Sequence, residues 1–110
     1  MTVKSIPSFY SKDVKFGRGE VKIAIDEKFI LTGRGSYGDH EINPLRYYWR
    51  LVSGNPPQIL GVDEDGRTVR FISPRIPTDI IFELKVVDAI TDKQDIASIK
   101  IKVYEHDIHL

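Results

Sequence analysis

Apolar residues recur at every second position in a series of short runs along this chain. In VKIAI, Val21, Ile23 and Ile25 share a face, and in KFILTG, Phe29 and Leu31 share one before a glycine-rich bend at Gly33 and Gly35. LRYYWRLV sets Leu45, Tyr47, Trp49 and Leu51 against Arg46, Tyr48, Arg50 and Val52. RTVRFIS gives Val69 and Phe71 as an inward pair; IIFELKVVDA gives Phe82, Leu84 and Val86; IASIKIKVY gives Ile99, Ile101 and Val103. A period of two over four to nine residues predicts half-buried strands. No window of a dozen residues sustains helical spacing free of Gly or Pro.

Turn chemistry separates the runs. In SGNPP (53–57), Gly54 permits positive φ, and Pro56 and Pro57 cannot donate into a ladder, so a turn is required. DEDG (63–66) suits a tight hairpin between QILGV and RTVRFIS. The two prolines of SPRIPTD (73–79) predict a crossing between sheets or an edge path. ITDKQD links the last two runs. The pattern predicts an all-β, two-sheet antiparallel sandwich of about seven strands over residues 20–104. Residues 1–19 are expected to be a partly ordered segment or edge strand, with Val14 and Phe16 in that strand and Met1 to about Ser5 loose. Residues 105–110 read as a tail.

Composition narrows the function classes. A chain of 110 residues can bury one core. Basic and acidic residues balance at 16 each, so no long-range field would gather a polyanion, and nucleic-acid binding is not expected. Cysteine is absent, which excludes disulfides, thiol catalysis and cysteine-ligated metal. MTVKSIPSFYSKDVKFGRGE holds no apolar run of signal-peptide or membrane-helix length, and no later stretch reaches a membrane span. The expectation is a chain without membrane insertion, either cytoplasmic or a processed domain of an exported protein.

LTGRGSYGD (31–39), YYW (47–49), SG (53–54), VRFISP (69–74) and FELKVVDA (82–89) occur in the order and near the spacing of a polycystic-kidney-disease (PKD) domain, which the chain resembles over residues 20–104. The resemblance implies that the sandwich is immunoglobulin-like, that Trp49 packs between its sheets and that Asp88, closing the penultimate strand, fixes a neighbouring loop. It also implies an extracellular or cell-surface spacer, adhesion or ligand-binding module within a larger polypeptide, with a protein or polysaccharide partner. The aspartate-rich segment usual after the Gly-Ser-Tyr element is replaced here by GDHEINP, which weakens transfer of a metal site.

Several constellations could carry chemistry, and each has a plainer reading. Asp39, Asp88 and Asp92, or Asp63 and Asp65, could offer oxygens to calcium, but aspartate and glycine also favour turns for backbone reasons. His106 and His109 flank Asp107 without a third fixed ligand, which makes a poor transition-metal site; no cofactor is expected. Ser36 and His40 share a loop, with nothing to orient a catalytic pair. Gly33, Gly35 and Gly38 lie between strands with no helix start behind them, unlike a phosphate loop. No enzyme is expected. The main candidate is an outward sheet face, where Tyr48, Arg50, Glu83, Lys85, Lys100 and Lys102 meet if their strands are neighbours. Exposed Tyr37 and Tyr48 could instead stack on sugar rings, as in a carbohydrate-binding accessory domain of a secreted hydrolase.

Overall fold

The computed structural model describes residues 3–38, 40 and 42–105. Eight strands form two four-stranded sheets. The first sheet has the order β1 (Ser8–Tyr10), β3 (Lys28–Thr32), β6 (Thr68–Ile72), β5 (Gln58–Val62). The second has the order β2 (Glu20–Ala24), β8 (Gln94–Tyr104), β7 (Thr78–Asp88), β4 (Leu45–Ser53). The β5–β6 and β7–β8 pairs are hairpins, each within its own sheet; every other connection passes between sheets, including the one through the prolines of 73–79, for which a crossing was one of the two paths expected.

The alternation read from sequence is the alternation observed. Val21, Ile23, Phe29, Leu31, Val69, Phe71, Ile80, Phe82, Ile99, Ile101 and Val103 are buried together between the sheets. Phe9, Phe29 and Phe71 stack along the first sheet at centroid spacings of 5.4 and 5.1 Å, and Phe71 meets Phe82 of the second sheet at 5.3 Å. Offset ring packing of this kind adds about 0.5–1.5 kcal/mol per pair beyond area burial. Trp49 lies between the sheets, half-buried, and joins the main cluster to a smaller one around Val3, Leu84 and Val86.

Three expectations are corrected. First, the edge strand of the N-terminal segment is Ser8–Tyr10 and not a strand around Val14 and Phe16; it adds an eighth strand to the seven that lie within residues 20–104, as many as expected there. A three-residue strand is too short to show a period, and its evidence is tertiary: Phe9 is fully buried and pairs across from Leu31. Phe16 is 52% exposed and instead meets the Tyr10 ring edge-on, with the Arg18 guanidinium 4.8 Å above it.

Second, the segment expected to be loose is tied down from Val3 onward. Lys4 and Tyr37 exchange main-chain hydrogen bonds of 2.7 and 3.1 Å. The Ser5 amide donates to Asp95 at 2.8 Å and its hydroxyl to the Leu84 carbonyl at 2.7 Å. Val3 packs on Leu84 and Val86, so residues 3–6 close one end of the sandwich.

Third, the sheets are not wholly antiparallel, since β2 runs parallel to β8, pairing Glu20 with Lys100 through Ala24 with Tyr104. Parallel neighbours need a long crossover, and here the five strands between them supply it.

Turns follow their residues. In the β5–β6 hairpin the Asp63 amide donates to Thr68 O at 3.0 Å and the Gly66 amide to Asp63 O at 2.9 Å, with Gly66 at φ 76°. Buried Ser73 ties the β2–β3 turn to the exit of β6: its hydroxyl donates to Ala24 O at 2.6 Å and accepts from the Glu27 amide at 2.8 Å.

Candidate interaction face

The neighbour relation required by the sequence reading is present, because β8, β7 and β4 are consecutive in one sheet. Register places Tyr48 opposite Lys85 and Lys85 opposite Ile96; Arg50 opposite Glu83 and Glu83 opposite Ser98; Ile81 opposite Lys100; Asp79 opposite Lys102. Paired residues in a ladder point to one face, and the alternate set, from Phe82 to Val103, is core. Tyr48, Arg50, Glu83, Lys85, Lys100 and Lys102 therefore share the outer face, and β2 extends it with Glu20 and Lys22.

Its chemistry is mixed but tilted. Arg50 donates to both Glu83 oxygens at 3.2–3.3 Å, and Lys85 Nζ stands 5.2 Å from the Tyr48 ring centroid. Lys100 lies 3.9 Å from Asp79. Arg50 is 68% exposed, so its pairing is worth about 0–1 kcal/mol and orders side chains more than it stabilises the fold. Arg46, also on this face opposite Val87, Lys22 and Lys102 have no ion pair among the described residues. Lys22, Arg46, Arg50, Lys85, Lys100 and Lys102 thus face Glu20, Asp79 and Glu83, an excess of positive charge in a chain that is formally neutral. Sequence reasoning missed Arg46 and Lys22. Arg46 was legible from the alternation of LRYYWRLV; Lys22 was not, because only the parallel β2–β8 pairing brings it here.

Asp88 organises one end of this sheet. It is buried at 2% exposure, and it accepts from Asn43 Nδ2 at 3.0 Å, the Ile90 amide at 2.8 Å and the Thr91 amide at 3.1 Å. The Asn43 bond and then the two backbone bonds hold its carboxyl below the ordinary value, against the opposing effect of desolvation. This is the loop-fixing role that the resemblance implied. Of the calcium set, Asp92 sits in the same turn at φ 62°, its amide donating to Asp88 O at 2.9 Å, and Asp39 lies outside the described residues. No cluster of three metal-ligating side chains occurs among the described residues. Asp65 accepts from the Arg67 amide at 3.0 Å and Asp63 faces Arg70 at 3.7 Å, both within the hairpin.

The other constellations stay apart or are otherwise engaged. Ser36 Oγ accepts from the Ile6 amide at 2.9 Å, and no hydrogen bond joins it to His40 among the described residues, although both line a shallow hollow of about 220 Å³. A Cβ on Gly33 would come within 2.8 Å of Leu84 and 2.9 Å of Tyr47, so Gly33 serves packing. His106, Asp107 and His109 lie outside the described residues. Tyr37 and Tyr48 are 55% and 48% exposed, on different surfaces. A groove of about 600 Å³ crosses the outer face of the first sheet, lined by Tyr10, Lys12, Lys28, Ile30, Leu60 and Arg70; nothing in the alternation of the strands announced it.

No family model matches the sequence, and no curated protein matches it. Among solved structures, the solution structure of the PKD domain from KIAA 1837 protein matches with a TM-score of 0.58, covering 84% of this chain and 84% of that one at 19% identity. The shared property at that identity is the fold, that of a β-sandwich module. The chain thus has a fold similar to that of a PKD domain, an immunoglobulin-like two-sheet β-sandwich.

Proposed function

We propose that the chain is a non-catalytic binding module that presents the outer face of the β2–β8–β7–β4 sheet to an acidic partner, as one domain of a surface-exposed, secreted or virion-associated assembly. The observation that carries this reading is the excess of positive charge on that face, arranged around the Tyr48–Lys85 pair. Aromatic and guanidinium groups on a rigid sheet are the side chains that dominate interface energetics, and local positive potential favours encounter with an acidic surface. Poly-L-glutamate coupled to resin provides the test. The wild type should be retained at low salt and released as ionic strength rises, and Lys85→Glu/Lys102→Glu should pass through with an unchanged melting temperature. Equal retention of the variant would refute the assignment.

A second reading, carbohydrate binding, is supported by the exposed rings of Tyr37 and Tyr48. It predicts sedimentation with an insoluble polysaccharide that Tyr37→Ala and Tyr48→Ala abolish. A calcium-dependent adhesion role predicts a higher melting temperature in millimolar calcium; an unchanged one rejects it.

A further inference from the structure

β5 is an edge strand that is apolar on both of its faces. It pairs with β6 alone among the described residues, so its far side offers main-chain N–H and C=O groups to any incoming strand. Register fixes the direction of its side chains: Ile59 lies opposite buried Phe71 and Val62 opposite buried Val69, which points both toward the interior between the sheets. Yet Ile59 is 61% exposed and Val62 55%. The pairing shifts between Ile59 and Gly61, and Leu60, at that bulge, lines the outer groove beside Tyr10 and Ile30. β5 begins four residues after β4, and the hairpin that follows it brings Gly66 against the Tyr47 carbonyl, so β5 runs back along β4. On β4 the inward Trp49 and Leu51 are only half-buried. The sandwich is therefore unclosed along the β4–β5 side.

We propose that this side accepts one extended segment of a partner polypeptide, added as a further strand beside β5. The segment would be short and uncharged at its centre, with aliphatic or β-branched residues at alternate positions. Gln58–Val62 contains no charged residue, so main-chain hydrogen bonds and apolar contact would supply the affinity, and alternate side chains the specificity. One face of the added strand would cover Ile59 and Val62, and the other would lengthen the wall of the outer groove. A second copy of this chain is a poorer occupant. Three exposed apolar side chains fall far short of the roughly 800 Å² per partner that a stable folded interface buries. Self-pairing centred on Leu60 would also set Asp63, the first turn residue, against Pro57, which has no N–H to give.

Displayed random nine-residue peptides selected against the full chain supply the probe, and Ile59→Lys/Val62→Lys, which takes no part in the selection, is the control. Both positions are more than half exposed, so the double variant should fold, which its melting curve checks. Selected peptides should show alternating aliphatic or β-branched residues, protect β5 amides from hydrogen exchange, and bind the double variant at least about tenfold more weakly, because an ammonium would have to be covered. Equal binding to the variant, or protection on any other edge, would overturn the proposal. Dimerisation of the peptide-free chain that is lost in the variant would assign the edge to a second copy and overturn it as well.

Discussion

Asn43 and Asp88, 45 residues apart in the chain, meet through an Asn43 Nδ2 to Asp88 Oδ2 hydrogen bond of 3.0 Å. It anchors the end of the β3–β4 connection to the β7–β8 turn, and the same carboxylate receives the Ile90 and Thr91 amides. Every one of these donors favours the charged form, so the folded-state pKa is lowered. The contribution to stability is then complete above the unfolded carboxyl value of about 3.9 and is lost as pH falls through the lower folded value. Asp88→Asn should melt below the wild type at pH 7. The gap should shrink between pH 4 and pH 2, as protonation gives the wild type the same defect. A gap that stays constant across that range would show that the charge is not what Asp88 contributes.

Removal of residues 1–6 should destabilise the whole sandwich. Burial of Val3 is worth about 1.5–3 kcal/mol, and the Ser5 hydroxyl bond to Leu84 about 1 kcal/mol, so the truncated chain should lose about 2–4 kcal/mol in urea unfolding. Ser5→Ala alone should cost about 1 kcal/mol. If the truncated chain unfolds at the wild-type urea midpoint, the end-closing role of this segment is wrong.

Gly54 and Gly19 separate two costs of replacing glycine. Both have positive φ, 95° and 74°. A Cβ at Gly19 meets nothing within 4 Å, whereas one at Gly54 would strike the Asp79 carbonyl oxygen and come within 2.9 Å of Ile80 Cα. Gly19→Ala should cost about 1 kcal/mol, the backbone penalty alone. Gly54→Ala should cost at least about 2 kcal/mol more, since main chain cannot step aside as a flexible side chain can. Chemical denaturation of the two variants measures the difference, and equal costs would remove the packing argument at the β4–β5 crossing.

Local pattern alone determined much of this protein. Residues that alternate on a pleated strand must put their apolar set inward, so the inward sets from Val21 to Val103, the hairpin at 63–66 and the crossing at 73–79 were all legible, as was the shared face from Tyr48 to Lys102. Asp88 was legible as a loop anchor through its resemblance to a known pattern. What the sequence could not determine depends on which strands become neighbours. Ser8–Tyr10 is a strand because Phe9 finds Phe29 across the sheet, Val3 is ordered because the sandwich end leaves room for it, and Lys22 joins the cationic face through a parallel pairing across some eighty residues. Only the assembled sheets decided that Ile59 and Val62, both turned inward by the bulge between Ile59 and Gly61, would be left uncovered. Alternation fixes the side of the sheet a residue faces, but whether anything lies opposite is a property of the assembled sheets.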